Sequence, residues 1–183
     1  MKFTSIVTAV LLLAAPVLDA AAKDISSPVQ TITLKTGDNS LSFGDNFAGA
    51  AAGDTFSDRF YFSLTSTADI TSNATSNAAK SGTGLDLTGY GIYSALTNDL
   101  VIGGTKVYVN KFGVADKWTV SADDLAAGNY YFRVDGKMLS SGASFAGNGT
   151  ITVSALPVPE PTMPAMLLGG LAILGVAARR KAK

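Results

Sequence analysis

Residues 55–64 read "TFSDRFYFSL", and their alternation decides the fold class. Phe56, Asp58, Phe60, Phe62 and Leu64 share one face of an extended chain, while Ser57, Arg59, Tyr61 and Ser63 take the other. A period of two, with aromatic and aliphatic residues crowded on one side, is the signature of a half-buried strand. Working outward, similar patterns predict strands around Val29 to Leu34, Asp69 to Asn73, Asp86 to Ala95, Asp99 to Ile102 and Lys106 to Val109. Trp118 to Ser121, Tyr130 to Val134 and Thr150 to Ala155 complete the set. Turn formers separate them at Gly37-Asp38-Asn39, Gly103-Gly104, Asp123-Asp124, Gly128-Asn129, Asp135-Gly136 and Gly147-Asn148-Gly149. "TSNATSNAAKSGTG" (71–84) is polar and low in complexity, which predicts a surface loop. With no long helical periodicity between these segments, the body is expected to be all-β, an antiparallel β-sandwich or jelly-roll.

The two ends differ from this body. Lys2, an apolar run from Ile6 to Leu18 and the Ala20-Ala21-Ala22 site predict a signal peptide over 1–22, cut after Ala22. The rival is an uncleaved anchor, for which the run is short. The remaining domain, 23–156, is large enough for a sizeable core. Residues 23–157 carry nine Lys/Arg against twelve Asp/Glu, a net of about −3. No basic patch survives there, which argues against nucleic acid as a partner. The chain has no cysteine and no histidine. The fold must therefore rest on packing and hydrogen bonds, and the usual general base and nucleophile–base arrangements are absent.

The C-terminus has three parts in a fixed order. Pro157, Pro159 and Pro161 stiffen an extended segment, because each ring fixes φ and disfavours helix in the residue before it. Met163 to Ala178 follows as 16 apolar or small residues, expected to form a single transmembrane helix of about 24 Å. Arg179, Arg180 and Lys181 close it and, by the positive-inside rule, hold the end in the cytoplasm with the body outside. A plain tail anchor would explain the helix and the charges, but not the Pro-Glu-Pro before them. Leu-Pro-x-Thr-Gly is absent, and a basic end contradicts a GPI signal.

Val158-Pro159-Glu160-Pro161, the Leu/Gly/Ala-rich run and Arg179-Arg180-Lys181 resemble the PEP-CTERM protein-sorting domain of Gram-negative bacteria, here over 157–183. The resemblance implies export by the Sec machinery, a transient stay in the inner membrane, processing by an exosortase and passage to the cell surface or extracellular matrix. It also implies a link to exopolysaccharide and biofilm formation. Phe56-Ser57-Asp58-Arg59-Phe60, with "LAAGNYYFRVDGKMLSSGASFAGNGTITVSALPVPEP" downstream, is similar to the FxDxF group of such proteins. That group supplies no reaction, so Phe56, Asp58 and Phe60 stand as a structural motif.

Asp58 needs a physical account, since alternation turns it inward among phenylalanines and a lone buried carboxylate is costly. Either it accepts backbone N–H bonds or meets a Lys/Arg, or it ligates Ca²⁺ together with Asp45 or Asp54. The acids lack EF-hand spacing. Ser144 in Gly142-Ala143-Ser144-Phe145-Ala146 misses the nucleophile-elbow pattern and has no histidine to activate it. Asp123-Asp124 is expected to be turn chemistry, and Asn73-Ala74-Thr75 and Asn148-Gly149-Thr150 match the N-glycosylation pattern. Together these features point to a non-enzymatic exported protein. The alternatives are a carbohydrate-binding module, with Trp118, Tyr61 or Tyr131 as stacking rings, and a simply anchored β-domain.

Overall fold

A computed structural model describes residues 21–76, 82–108, 115–155 and 163–181. Among the described residues ten strands follow one another: β1 (Gln30–Thr31), β2 (Gly37–Phe47), β3 (Thr55–Leu64), β4 (Ala68–Ser76), β5 (Leu85–Ser94), β6 (Leu100–Gly103), β7 (Thr105–Tyr108), β8 (Asp116–Leu125), β9 (Gly128–Met138) and β10 (Ala143–Val153). They pair into two five-stranded sheets, β1-β3-β9-β5-β6 and β2-β10-β4-β8-β7. All neighbours are antiparallel except β1, which runs parallel to β3.

The alternation in 55–64 appears as expected. Phe56, Asp58, Phe60, Phe62 and Leu64 are buried, and the residues between them are partly or fully exposed. The inner faces of the two sheets meet through aromatic rings. Phe43 of β2 lies 4.7 Å from Phe60 of β3 and 5.6 Å from Phe132 of β9. Phe56 stacks on Phe145 of β10 at 5.5 Å with the rings nearly parallel. Offset and tilted rings at such distances add to the burial itself. The body is therefore a β-sandwich with a single aromatic-rich core.

Several sequence-based boundaries move. Gly37-Asp38-Asn39 opens the eleven-residue β2 instead of closing a strand, and of Val29 to Leu34 only Gln30–Thr31 is strand. The inward residues of β2, Leu41, Phe43 and Phe47, are diluted by serines facing out and by Gly44, which hides the alternation. The loop predicted over 71–84 is β4 up to Ser76, while 77–81 lie outside the described residues. Asp123-Asp124 lies within β8, beside a register shift between Ala68 and Ile70. Asp124 takes a φ of 52° there, and its N–H donates to Asp69 Oδ1 at 2.8 Å. Asp135-Gly136 and Gly147-Asn148-Gly149 lie inside β9 and β10.

Those glycines serve packing. A Cβ on Gly136 would run into the Phe56 ring, and one on Gly147 into the Phe43 ring. Each provides a socket where an aromatic side chain crosses a strand.

Helix α1 (Met163–Lys181) follows the body. Its Leu, Ala and Met content favours helix, Pro164 is tolerated in the first turn, and the basic residues at its end suit the dipole. Its 19 residues span about 28 Å. Among the described residues, however, no helix is long and apolar enough to cross a membrane. The single transmembrane helix expected from the sequence is therefore not shown for α1. Its apolar stretch reaches only about 24 Å before Arg179, against a hydrocarbon core of about 30 Å.

Candidate functional site

The tail and the body present different chemistry. On α1, Met166, Leu167, Leu168, Leu171, Ile173 and Leu174 are each between 55 and 72% exposed. At 100° per residue these six spread over an arc of about 220°, too wide for one face docked on the sandwich to bury them together. Arg179 and Arg180 are exposed at its C-terminal end. Val158, Pro159, Glu160 and Pro161 lie outside the described residues, as do residues 1–20.

At one end of the sandwich the N-terminal segment is laid along β3. Thr55 N–H donates to Lys23 O, Ile25 N–H to Thr55 O, and Ile32 N–H to Tyr61 O, at 2.9, 2.9 and 2.7 Å. This segment brings Ser27 to the buried Asp58. Ser27 N–H donates to Asp58 Oδ1 at 2.8 Å, and the Ser27 hydroxyl bonds to Asp45 Oδ2. Asp58 Oδ2 is buried with no hydrogen-bond partner. Burial pushes the Asp58 carboxyl up to about 6; the Ser27 N–H opposes the rise, and the nearby Asp45 and Asp24 add to it.

Asp54, four residues earlier, is the opposite case. Ala51 N–H reaches Oδ2 at 2.9 Å and Lys23 N–H reaches Oδ1 at 3.0 Å. These two bonds, Ala51's first, hold the Asp54 carboxyl below the usual carboxylate range. Asp45 and Asp54 both line a cleft of about 330 Å³ with Lys23 and Ser27. The calcium set Asp58, Asp54 and Asp45 is nevertheless not gathered. No group of three or more His, Cys, Asp or Glu able to hold a metal ion occurs among the described residues. Asp54 is already committed to backbone donors, and Asp58 and Asp45 share Ser27 as a donor. The backbone-bonded account of Asp58 therefore fits.

The two outer faces diverge as well. On the β1-β3-β9-β5-β6 sheet, Tyr61, Tyr131 and Tyr93 stand in register across three strands, their rings 4.9 and 5.5 Å apart. The Arg59 guanidinium lies over Tyr131 and the Arg133 guanidinium over Tyr93, at 5.2 and 4.1 Å. Arg133 also pairs with Asp135 at 2.9 Å. Tyr131 is wholly covered, whereas Tyr61 and Tyr93 keep partly open edges. Trp118 is elsewhere, packed on the core with its indole N–H donating to Leu87 O at 2.9 Å. Beside it, Lys106 bridges Asp86 and Asp116 at 3.2 and 2.9 Å, tying the edge of one sheet to the other. The opposite outer face carries Ser, Thr and Asn, and there Asn73 and Asn148 of the two glycosylation-like sequons bond to each other at 2.7 Å. Ser144 lies on β10 opposite Asn46, in no catalytic arrangement.

Sequence reasoning missed Ser27, Lys23 and Tyr93. Ser27 reaches Asp58 of β3 and Lys23 reaches Asp54 just before it, each from 31 residues away, and nothing local announces such a pairing.

The apolar helix and its basic end coincide with a family match. Residues 157–181 are a PEP-CTERM protein-sorting motif. The PEP-CTERM motif implies export, processing by exosortase and sorting to the cell surface. No curated protein matches the chain. Among solved structures, the pre-peptidase C-terminal domain of collagenase from Bacillus anthracis is similar, with a TM-score of 0.37 and 11% identity. The likeness covers 67% of this chain and 94% of that one. The sandwich itself follows from the strand pairing and core described above.

Proposed function

We propose that this chain is a non-enzymatic surface or matrix protein whose sandwich is the cargo and whose PEP-CTERM tail is the address. The carrying observation is the motif over 157–181. The exposed apolar helix supports it: with large apolar side chains over about 220° of its surface, it suits a temporary stay in the inner membrane, engaged by exosortase, better than docking on the body. The absence of histidine and cysteine supports a non-catalytic body. A role in exopolysaccharide or biofilm formation, and membership of the FxDxF group, belong to the same proposal. Glu160 is the only glutamate in the chain, so Glu160→Ala alters the motif alone. Loss of the surface form in this variant, with the precursor retained in the inner membrane, is the expected result. Unchanged surface delivery after replacing Pro159, Glu160 and Pro161 together would overturn the proposal.

A second reading, a carbohydrate-binding module, is favoured by the Tyr61-Tyr131-Tyr93 row with its two guanidiniums. Tyr edges and arginine donors suit sugar hydroxyls and carboxylates. Retention on matrix polysaccharide, lost in Arg59→Gln with Tyr61→Ala, would establish it; no retention at millimolar sugar would dismiss it.

A further inference from the structure

We propose that Asp54 is the receptor for the α-ammonium group created when the signal segment is cut after Ala22, so that export processing locks the N-terminal segment onto the sandwich. The inference rests on reading residues 1–22 as a cleaved signal. Among the alanines at 20–22, only a cut after Ala22 leaves alanine at both the last and the third-last position of the signal. Ala21 and Ala22 are exposed and outside any strand, so the bond is open to a signal-peptide hydrolase.

The geometry at Lys23 is already that of a terminal lock. Its backbone nitrogen lies 3.0 Å from Asp54 Oδ1, and its carbonyl is held by Thr55 N–H at 2.9 Å. The carboxylate is fixed in place. Ala51 N–H occupies Oδ2, and Met138 N–H holds the Asp54 carbonyl at 2.8 Å. Asp54 is largely covered where it lines the cleft, and Lys23 stands exposed at its mouth. Hydrolysis breaks the Ala22–Lys23 C–N bond; water gives its OH to the Ala22 acyl carbon and its H to the Lys23 nitrogen, and the new carboxylic acid releases its proton. At neutral pH that amine takes up a further proton. A neutral amide donor thereby becomes an ammonium facing an ionised carboxylate, and charge-assisted bonds of this kind are roughly twice as strong as neutral ones. The lock holds the segment that delivers Ser27 to Asp58.

The charged groups around the pair are the Lys23 side chain and Asp45 in the cleft, Asp24 in the segment, and Lys137 of β9 opposite Thr55. An α-amine titrates near about 7.7–8.0 when free. A carboxylate partner raises that value in the folded chain. The extra stability is therefore full below about pH 7.7 and is lost as pH rises through the folded value.

All ten strands follow Lys23, so chains running to Lys183 from different starts each contain the whole sandwich. Three are compared: one beginning at Lys23, one beginning at Ala21, and the Lys23 chain acetylated on its α-amine. At pH 7 the free Lys23 chain is expected to melt about 3–5 °C above the other two. The gap should close by about pH 9.5 and in Asp54→Asn. Equal melting of the free and acetylated chains, or a gap that survives Asp54→Asn, would overturn the proposal. Should Asp54→Asn fail to fold, the acetylated chain still decides. Intact mass of the exported protein tests the cut itself, so failure of the signal reading is distinguishable from failure of the lock.

Discussion

The sandwich and the tail treat apolar side chains in opposite ways. In the body, Phe60, Phe62, Phe132, Ile92 and Ile151 are at most 2% exposed, while on α1 six large apolar residues are 55% exposed or more. The body supplies its own apolar surroundings; the tail requires surroundings supplied by something else. Stability and address are therefore divided between regions, and a change in one should leave the other untouched.

The largest expected effect lies at the centre of the body. Phe60→Ala removes a ring packed against Phe43 and Phe145, and should cost about 3–5 kcal/mol. Denaturant unfolding checks the loss. Helicity of the tail in detergent should be unchanged, and a parallel loss there would break the division.

Asp58 gives the next effect, and its sign is unusual for a carboxylate. Its folded value of about 6 stands above the ordinary 3.8, so the native state holds more protons between those limits. Stability should fall as pH rises from about 4 to about 6 and level off above, by up to about 3 kcal/mol. Asp58→Asn keeps an acceptor for Ser27 N–H and offers Asp45 a donor without titrating. This variant should match the parent near pH 4 and exceed it at pH 7.5. Melting curves across that range would show the slope, and a parent that gains stability over it would contradict the account.

Gly147→Ala sharpens the comparison at a smaller scale. The added methyl meets the Phe43 ring and should cost about 1–3 kcal/mol. The same substitution at Gly169 or Gly170, where nothing lies within 4 Å, should leave the body's melting unchanged. Removal of 157–183 should likewise alter body stability by less than about 0.5 kcal/mol.

Much of this was legible in sequence where a local pattern has one physical meaning. Alternation alone turns Phe56, Asp58 and Phe60 inward, and composition marks the helix and its basic end. The glycines misled. Gly136 and Gly147 sit beside Asp and Asn as turn residues do, yet they are sockets for rings more than 75 residues away in sequence. Ser40 and Ser42 on the outer face hid β2 for a related reason, since its inward residues are too sparse to stand out. The pairing of Asp58 with Ser27, and of Asp54 with Lys23, depends on how the N-terminal segment crosses β3. No spacing along the chain encodes that path.

The most direct test is the intact mass of the protein recovered from the cell surface, set beside that from cells lacking exosortase. The account predicts a surface form without Arg179 to Lys183, and a longer form retaining them when the enzyme is missing. A surface form that still carries Arg179-Arg180-Lys181 would show that the tail stays on as an anchor, and would contradict the division between address and cargo.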